Sequence, residues 1–247
     1  MNNIKVNTIN EIEKLFLKKK FIVFIIIMAV ISFLSTFFIS SIQSKLIFIA
    51  MGSISFPLVI LSMFTNVLLP LFVFMAASEL FAAELNDKAL KLVLIRPISR
   101  FKIFISKILA IAFYVCLNLF VVFLSSTISC LLLHVNILSL QHIIFSYTID
   151  IIPALILILF TVFIVQFFKS SSASIISCIL IFIGVKVLSL FISGLNNILF
   201  TSYLNWYSLW SFGTNNLFTV INIFLMLLAY GIIFFTIGYY IFDKREI

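Results

Sequence analysis

Six apolar runs, each long enough to cross a bilayer, take up most of this chain: about residues 21–39, 54–77, 103–133, 149–168, 175–195 and 217–242. The hydrocarbon core of a bilayer is about 30 Å thick and takes about 20 consecutive apolar residues to cross as a helix. Lipid offers no partner to a bare backbone N–H or C=O, so a lone apolar run of this kind satisfies its own ladder as an α-helix. Composition agrees, with 64% of the 247 residues hydrophobic and 10% charged, against about 25% charged in soluble domains. The expected fold is an all-α integral membrane protein of six transmembrane helices, forming a single domain over residues 1–247.

The net charge of +8 is first a topology signal and does not imply a nucleic-acid partner. With the amino terminus inside, the cytoplasmic segments hold Lys5, Lys14, Lys18, Lys19, Lys20, Lys88, Lys91, Arg96, Arg100, Lys102, Lys107, Lys169, Lys244 and Arg245, fourteen of the sixteen basic residues. Only Lys45 falls in an outer loop, and Lys186 falls in a span. Asymmetry of Lys and Arg across short loops sets orientation, so both termini are expected in the cytoplasm of a multi-pass cell-membrane protein. Ahead of the first span, Thr8 and Glu11 have capping-box spacing, and Ile9, Ile12, Leu15 and Phe16 form an apolar stripe opposite Glu11, Lys14 and Lys18. This reads as an interfacial N-terminal helix stopped by Lys18-Lys19-Lys20. The run after it is too long for the apolar core of a signal peptide, about 7 to 15 residues.

The largest polar island lies between spans 2 and 3, from Glu79 to Lys107, with three of the eight acidic and six of the sixteen basic residues. A helix over Glu84 to Ile95 places Glu84, Asp87, Lys88 and Lys91 on one face, with Leu85, Ala89, Leu90, Leu92 and Val93 spread over the other. Such a segment lies along a membrane surface. Pro97 ends it and disfavours helix at Arg96, leaving Ser99 to cap what begins at Arg100.

The run Glu84-x-x-x-Lys-Ala-Leu-x-Leu-x-Leu-x-Arg96-Pro97-Ile-Ser99-Arg100-x-x-Ile-x-x-x-Lys107 resembles the cytoplasmic loop of type-2 ATP-binding-cassette (ABC) permeases. There an acidic residue precedes a leucine-rich surface helix and a Pro-[Val/Ile]-Ser-Arg turn; the Gly-Thr pair common after the Glu is Lys88-Ala89 here. The resemblance extends to the spans and the basic tail Asp243-Lys-Arg-Glu-Ile247. It implies that residues 79–102 form a cytoplasmic coupling region, with Glu84, Asp87, Lys88, Lys91, Arg96, Pro97, Ser99 and Arg100 coupling to a separate cytoplasmic ABC ATPase subunit. A second permease subunit, identical or related, would complete the path through membrane lipid. It also implies extracellular re-entrant or interfacial helices between spans 5 and 6. The uncharged stretch from Asn196 to Asn216, with Tyr203, Trp206, Tyr207 and Trp210, independently reads as interfacial structure held by an aromatic belt.

Chemistry is sparse. The chain has no Gly-x-x-x-x-Gly-Lys-[Ser/Thr] phosphate loop, so it carries no cofactor of its own, and ATP would be bound by the partner. No His-Glu-x-x-His helix or Gly-x-Ser-x-Gly elbow points to an intramembrane enzyme. His134 and His142 bracket a short loop without ligand spacing, and Asp150 and Pro153 fall in the first turn of the fourth span. Pro57 and Pro70 mark kinks in the second. The reading is the transmembrane subunit of an ATP-driven exporter, fitting self-protection against an antimicrobial peptide or drug. The rival is a non-transporting sensor or anchoring scaffold that recruits a cytoplasmic partner. Lys186, a central charge that costs about 2.5–3.5 kcal/mol on insertion scales, either pairs with Asp150 or snorkels to outer water.

Overall fold

The computed structural model describes residues 2–45, 56–86, 99–133, 140–192, 194–211 and 217–245, and among these every regular element is helical. In chain order they are α1 (Asn2–Leu17), α2 (Lys19–Lys45), α3 (Phe56–Met63), α4 (Leu69–Ala77), α5 (Glu84–Asn86), α6 (Arg100–Leu132), α7 (Leu140–Ile149), α8 (Ile151–Val165), α9 (Ser171–Phe191), α10 (Tyr207–Ser211) and α11 (Leu217–Lys244). Five helical stretches are long and apolar enough to cross a membrane: Pro57–Ala83, Arg100–Leu132, Leu140–Val165, Ser171–Phe191 and Phe218–Lys244. Helix α2, over the run expected as the first span, is 27 residues long.

α1 and α2 part at Lys18, where the lysine cluster falls, but α1 begins at Asn2. The capping box expected at Thr8 and Glu11 therefore does not form. Thr8 lies inside the helix, and its hydroxyl donates to the Ile4 carbonyl at 2.9 Å.

The second span is not one uniform helix. α3 passes into a π-helical stretch, Phe64–Leu68, then α4, then a second π stretch, Ser78–Ala83, that leads into α5. Pro70 sits in the first turn of α4. Having no N–H, it leaves one carbonyl of the preceding turn without its helical donor, and a widened turn is one way a helix absorbs that loss.

The helix expected from Ile103 runs from Arg100, 33 residues or about 50 Å, well beyond hydrocarbon thickness. The helical stretch over the run expected from Ile149 also begins earlier than hydropathy implied, at Leu140. Gln141, His142, Ser146, Tyr147 and Thr148 depress local hydropathy, yet Ser146 and Thr148 return their hydroxyls to the carbonyls of His142 and Ile144. His142 is thus helical and not in a loop; His134 lies outside the described residues.

The core joins α1, α2, the second span, α6, α8 and α11. Its centre is aromatic: Tyr114 is fully buried, stacks on Phe72 at 4.4 Å and meets Phe21 edge-on at 5.6 Å. α11 approaches α8 closely where it has no side chain, since a Cβ at Gly231 would lie 3.0 Å from Ile156 Cδ1. α9 is largely unburied within the single chain. Between α9 and α11 the chain makes two 3₁₀ turns, Leu195–Asn197 and Phe200–Tyr203, before α10. This segment is not merely a surface belt, because Phe200, Leu204 and Trp206 are buried and Trp206 stacks on Phe224 of α11.

Candidate functional site: an ion ring at one end of the bundle

Lys107 lies two turns into α6, and its side chain is 0% exposed. An ammonium there needs compensation, and three acceptors supply it: Glu84 Oε2 at 2.6 Å, Glu11 Oε2 at 3.2 Å and the Leu80 carbonyl at 2.9 Å. Leu80 belongs to the second π stretch, where the ordinary helical ladder is interrupted. Lys14 closes the figure from the other side, reaching Glu11 Oε1 at 2.8 Å and Glu84 Oε1 at 3.0 Å. Each carboxylate therefore holds both ammoniums, one on each oxygen. The result is a neutral ring of alternating charge that ties α1, α5 and α6 together.

A second cluster adjoins it. Glu79, buried in the same π stretch, takes Lys18 on one oxygen and Lys20 on the other, at the bend between α1 and α2. Farther along this end, the Arg100 guanidinium donates to the main-chain carbonyls of Asp243 and Arg245. A cation there complements the negative end of α11. Arg245 in turn donates to Gln166 Oε1 at 3.3 Å and the Phe168 carbonyl at 3.4 Å, so the tail is fastened beside the α8–α9 turn.

The electrostatics of Glu84 follow from this geometry. Burial pushes its carboxyl up, but Lys107 and then Lys14 outweigh burial and hold it below the ordinary value. For Lys14 desolvation pulls downward, and hydrogen bonding and attraction from Glu11 and Glu84 overcome it, leaving the ammonium pKa raised.

Glu84, expected on an open docking face, is turned inward against Lys107 and Lys14. Ser99 stands at the N-cap of α6 with extended geometry and its carbonyl accepts from Lys102 and Ile103, but its hydroxyl makes no capping bond. Asp87, Lys88, Lys91, Arg96 and Pro97 lie outside the described residues. Glu11, expected on the exposed side of α1, is 5% exposed. The sequence did hold a signal for this ring: Lys107 sits five residues inside an apolar run and had to find an anion.

Lys186 and Asp150 are given separate partners. Lys186 Nζ donates to Asn66 Oδ1 at 2.9 Å and reaches the Asn66 carbonyl at 3.4 Å. Asp150, wholly buried between α7 and α8, accepts from the Tyr207 N–H at 2.9 Å and so holds the start of α10. Among the described residues no ion pair joins the two. Of the two readings open to Lys186, pairing with Asp150 or snorkelling, the first is not the contact seen: Asn66 presents a side-chain and a main-chain oxygen to Lys186, whereas Asp150 faces the backbone of α10.

Helices this long, this apolar and this numerous define a multi-pass membrane protein. A family model described as "ABC-2 family transporter protein" matches residues 9–187, from α1 through most of α9, and the chain belongs to that family. It is therefore a membrane permease component of a transporter. A search of curated proteins returns no match.

Proposed function

We propose that this permease is the transmembrane subunit of an ATP-driven exporter, coupled through residues 79–102 to a separate cytoplasmic ATPase that binds the ATP. Two permease subunits, identical or related, would form the path, each with six spans and both termini in the cytoplasm. An antimicrobial peptide or drug is the substrate class that best suits a permease this small, as self-protection.

The observation that carries this reading is the ring of Glu11, Lys14, Glu84 and Lys107. Glu84 is the first residue of the proposed coupling helix, and the ring fixes it to the surface helix and to the third-span helix α6. A push on the coupling helix would then move α1 and α6 together, because the links are short and each carboxylate is held at both oxygens.

Copurification tests the reading: the tagged permease, extracted in mild detergent, should bring down an ATPase subunit whose hydrolysis responds to the exported compound. A permease that protects expressing cells without any associated ATPase would defeat it.

Orientation has its own test. Ser202 and Ser172 are both exposed, one in the segment before α10 and one at the start of α9. Ser202→Cys should react with an impermeant maleimide added to intact cells, and Ser172→Cys only after lysis. The reverse pattern would invert the topology.

A further inference from the structure

A second polar feature lies away from the ion ring, on the face where the second span meets α9. Asn66 Nδ2 donates to the Ser62 carbonyl, Asn205 Nδ2 donates to Ser62 Oγ at 2.8 Å, and Thr65 Oγ1 donates to Asn205 Oδ1. Lys186 completes the cluster through Asn66. Ser62, Asn66, Asn205 and Lys186 are each only partly buried, so the cluster reaches the bundle's surface, and we call its open side the notch. Its flanks are apolar and open: Met63 and Val67 on one side are 59% and 57% exposed, and Ile183 and Val187 on the other 52% and 41%.

The charge in this notch is incompletely answered. Lysine has three protons to donate. Those of Lys186 find the Asn66 carboxamide, the Asn66 carbonyl, and the face of Phe182 with Nζ 5.1 Å from the ring centroid. All three partners are neutral, and among the described residues no carboxylate lies within ion-pair distance of Lys186. Lys107, by contrast, has two carboxylates. Lys186 stands five residues, about 8 Å, from the end of α9, and a long lysine stem can carry its ammonium toward a polar boundary from there.

We propose that this notch binds the anionic head, carboxylate or phosphate, of an amphiphile whose apolar chain lies along Met63, Val67, Ile183 and Val187. Lys186 supplies the charge, and Ser62, Asn66 and Asn205 supply hydrogen bonds. That the bound amphiphile is a substrate on its way across rests on the exporter reading above; the site itself does not.

The test uses the full chain in phosphatidylcholine nanodiscs, with labelled dodecanoate as probe and empty nanodiscs as background. No ATPase is present, so failure here leaves the exporter reading untouched, and failure of copurification leaves the site untouched. Lys186→Gln removes a charged hydrogen bond and should weaken specific binding roughly tenfold to a hundredfold, while Lys186→Arg should retain it. Ile183→Glu, one turn from Lys186 on an exposed face, keeps the ammonium and its bond to Asn66 but offers it a resident carboxylate. It should abolish probe binding without disturbing the Asn66 contact, which guards against a Lys186→Gln protein that merely folds poorly. Dodecyl maltoside, with the same chain and a neutral head, should compete weakly. Unchanged binding in Lys186→Gln or Ile183→Glu, or equal competition by the maltoside, overturns the proposal. Adding phosphatidylglycerol to the discs identifies the source: Lys186-dependent displacement of dodecanoate assigns the site to a lipid headgroup, and no displacement assigns it to a free amphiphile. Either result keeps the anion site.

Discussion

Lys107→Ala is expected to lower the stability of the permease by about 3–5 kcal/mol, the usual cost of removing one partner from a buried ion pair. Glu11 and Glu84 would then share only Lys14, which is itself 41% exposed at its side chain. Against a total stability of about 5–15 kcal/mol, such a loss should appear as a large drop in the unfolding midpoint of the purified protein. A loss under about 1 kcal/mol would mean that the ring is solvated like a surface pair. Replacing the charges together, as Glu84→Gln with Lys107→Gln, should recover part of the deficit, because no buried charge is then left alone. The pH profile gives an independent readout. Glu84's carboxyl is held below its ordinary 4.5 in the fold. Its contribution is therefore present above the unfolded-chain value and lost as pH falls through the lower folded value. Wild-type stability should decline with acidification below about 4.5, and Lys107→Ala, without the main attraction, should decline less over that window.

Apolar length and Lys/Arg placement make the helical membrane class readable from the amino-acid order alone, because lipid leaves a lone apolar span one way to satisfy its backbone. The ion ring is only half readable in that way. A helical wheel puts Glu11 with Lys14 on one side of α1, and the two do pair. What a wheel lacks is the partner on the other side, Lys107, which lies 96 residues away along the chain. A polar face can meet water or a buried counter-charge, and local periodicity is the same for both. Tyr147 shows the same blindness in the fourth span. Its hydroxyl reaches the Pro57 carbonyl at 3.1 Å and lies 3.3 Å from Ser126 Oγ, partners from two other spans that make a polar residue tolerable where hydropathy alone placed a loop. Of the two π stretches only the first is marked, indirectly, by Pro70. Trp206 reads as a belt residue from its type and setting, yet its ring is 3% exposed and fills space beside Phe224. These misses share a cause: each depends on a contact between elements far apart in sequence.

The second large effect concerns docking, and the inward turn of Glu84 moves where it should be sought. With Glu84 bound to Lys107 and Lys14, reversing Glu84 would place a third ammonium against two others and unfold this end, so it cannot test coupling alone. The remaining charges that the sequence places on the same helical face, Asp87, Lys88 and Lys91, are the better probe. On a surface that only rests on lipid and water, exposed charges are worth at most about 1 kcal/mol each, and exchanging their signs should change little. Facing an ATPase with complementary charge, the same exchange brings like charges together at a cost of several kcal/mol. Asp87→Lys with Lys88→Glu and Lys91→Glu is therefore expected to leave the unfolding midpoint unchanged while weakening ATPase association about a hundredfold, equivalent to about 3 kcal/mol. Arg100→Glu should act differently, because its guanidinium holds the carbonyls at the end of α11. A carboxylate there meets the negative helix end, so the ATPase should stay bound while its hydrolysis no longer responds to substrate. Undiminished association and transport-linked protection in the triple variant would reduce residues 79–102 to an anchor and remove the mechanical basis of the exporter reading.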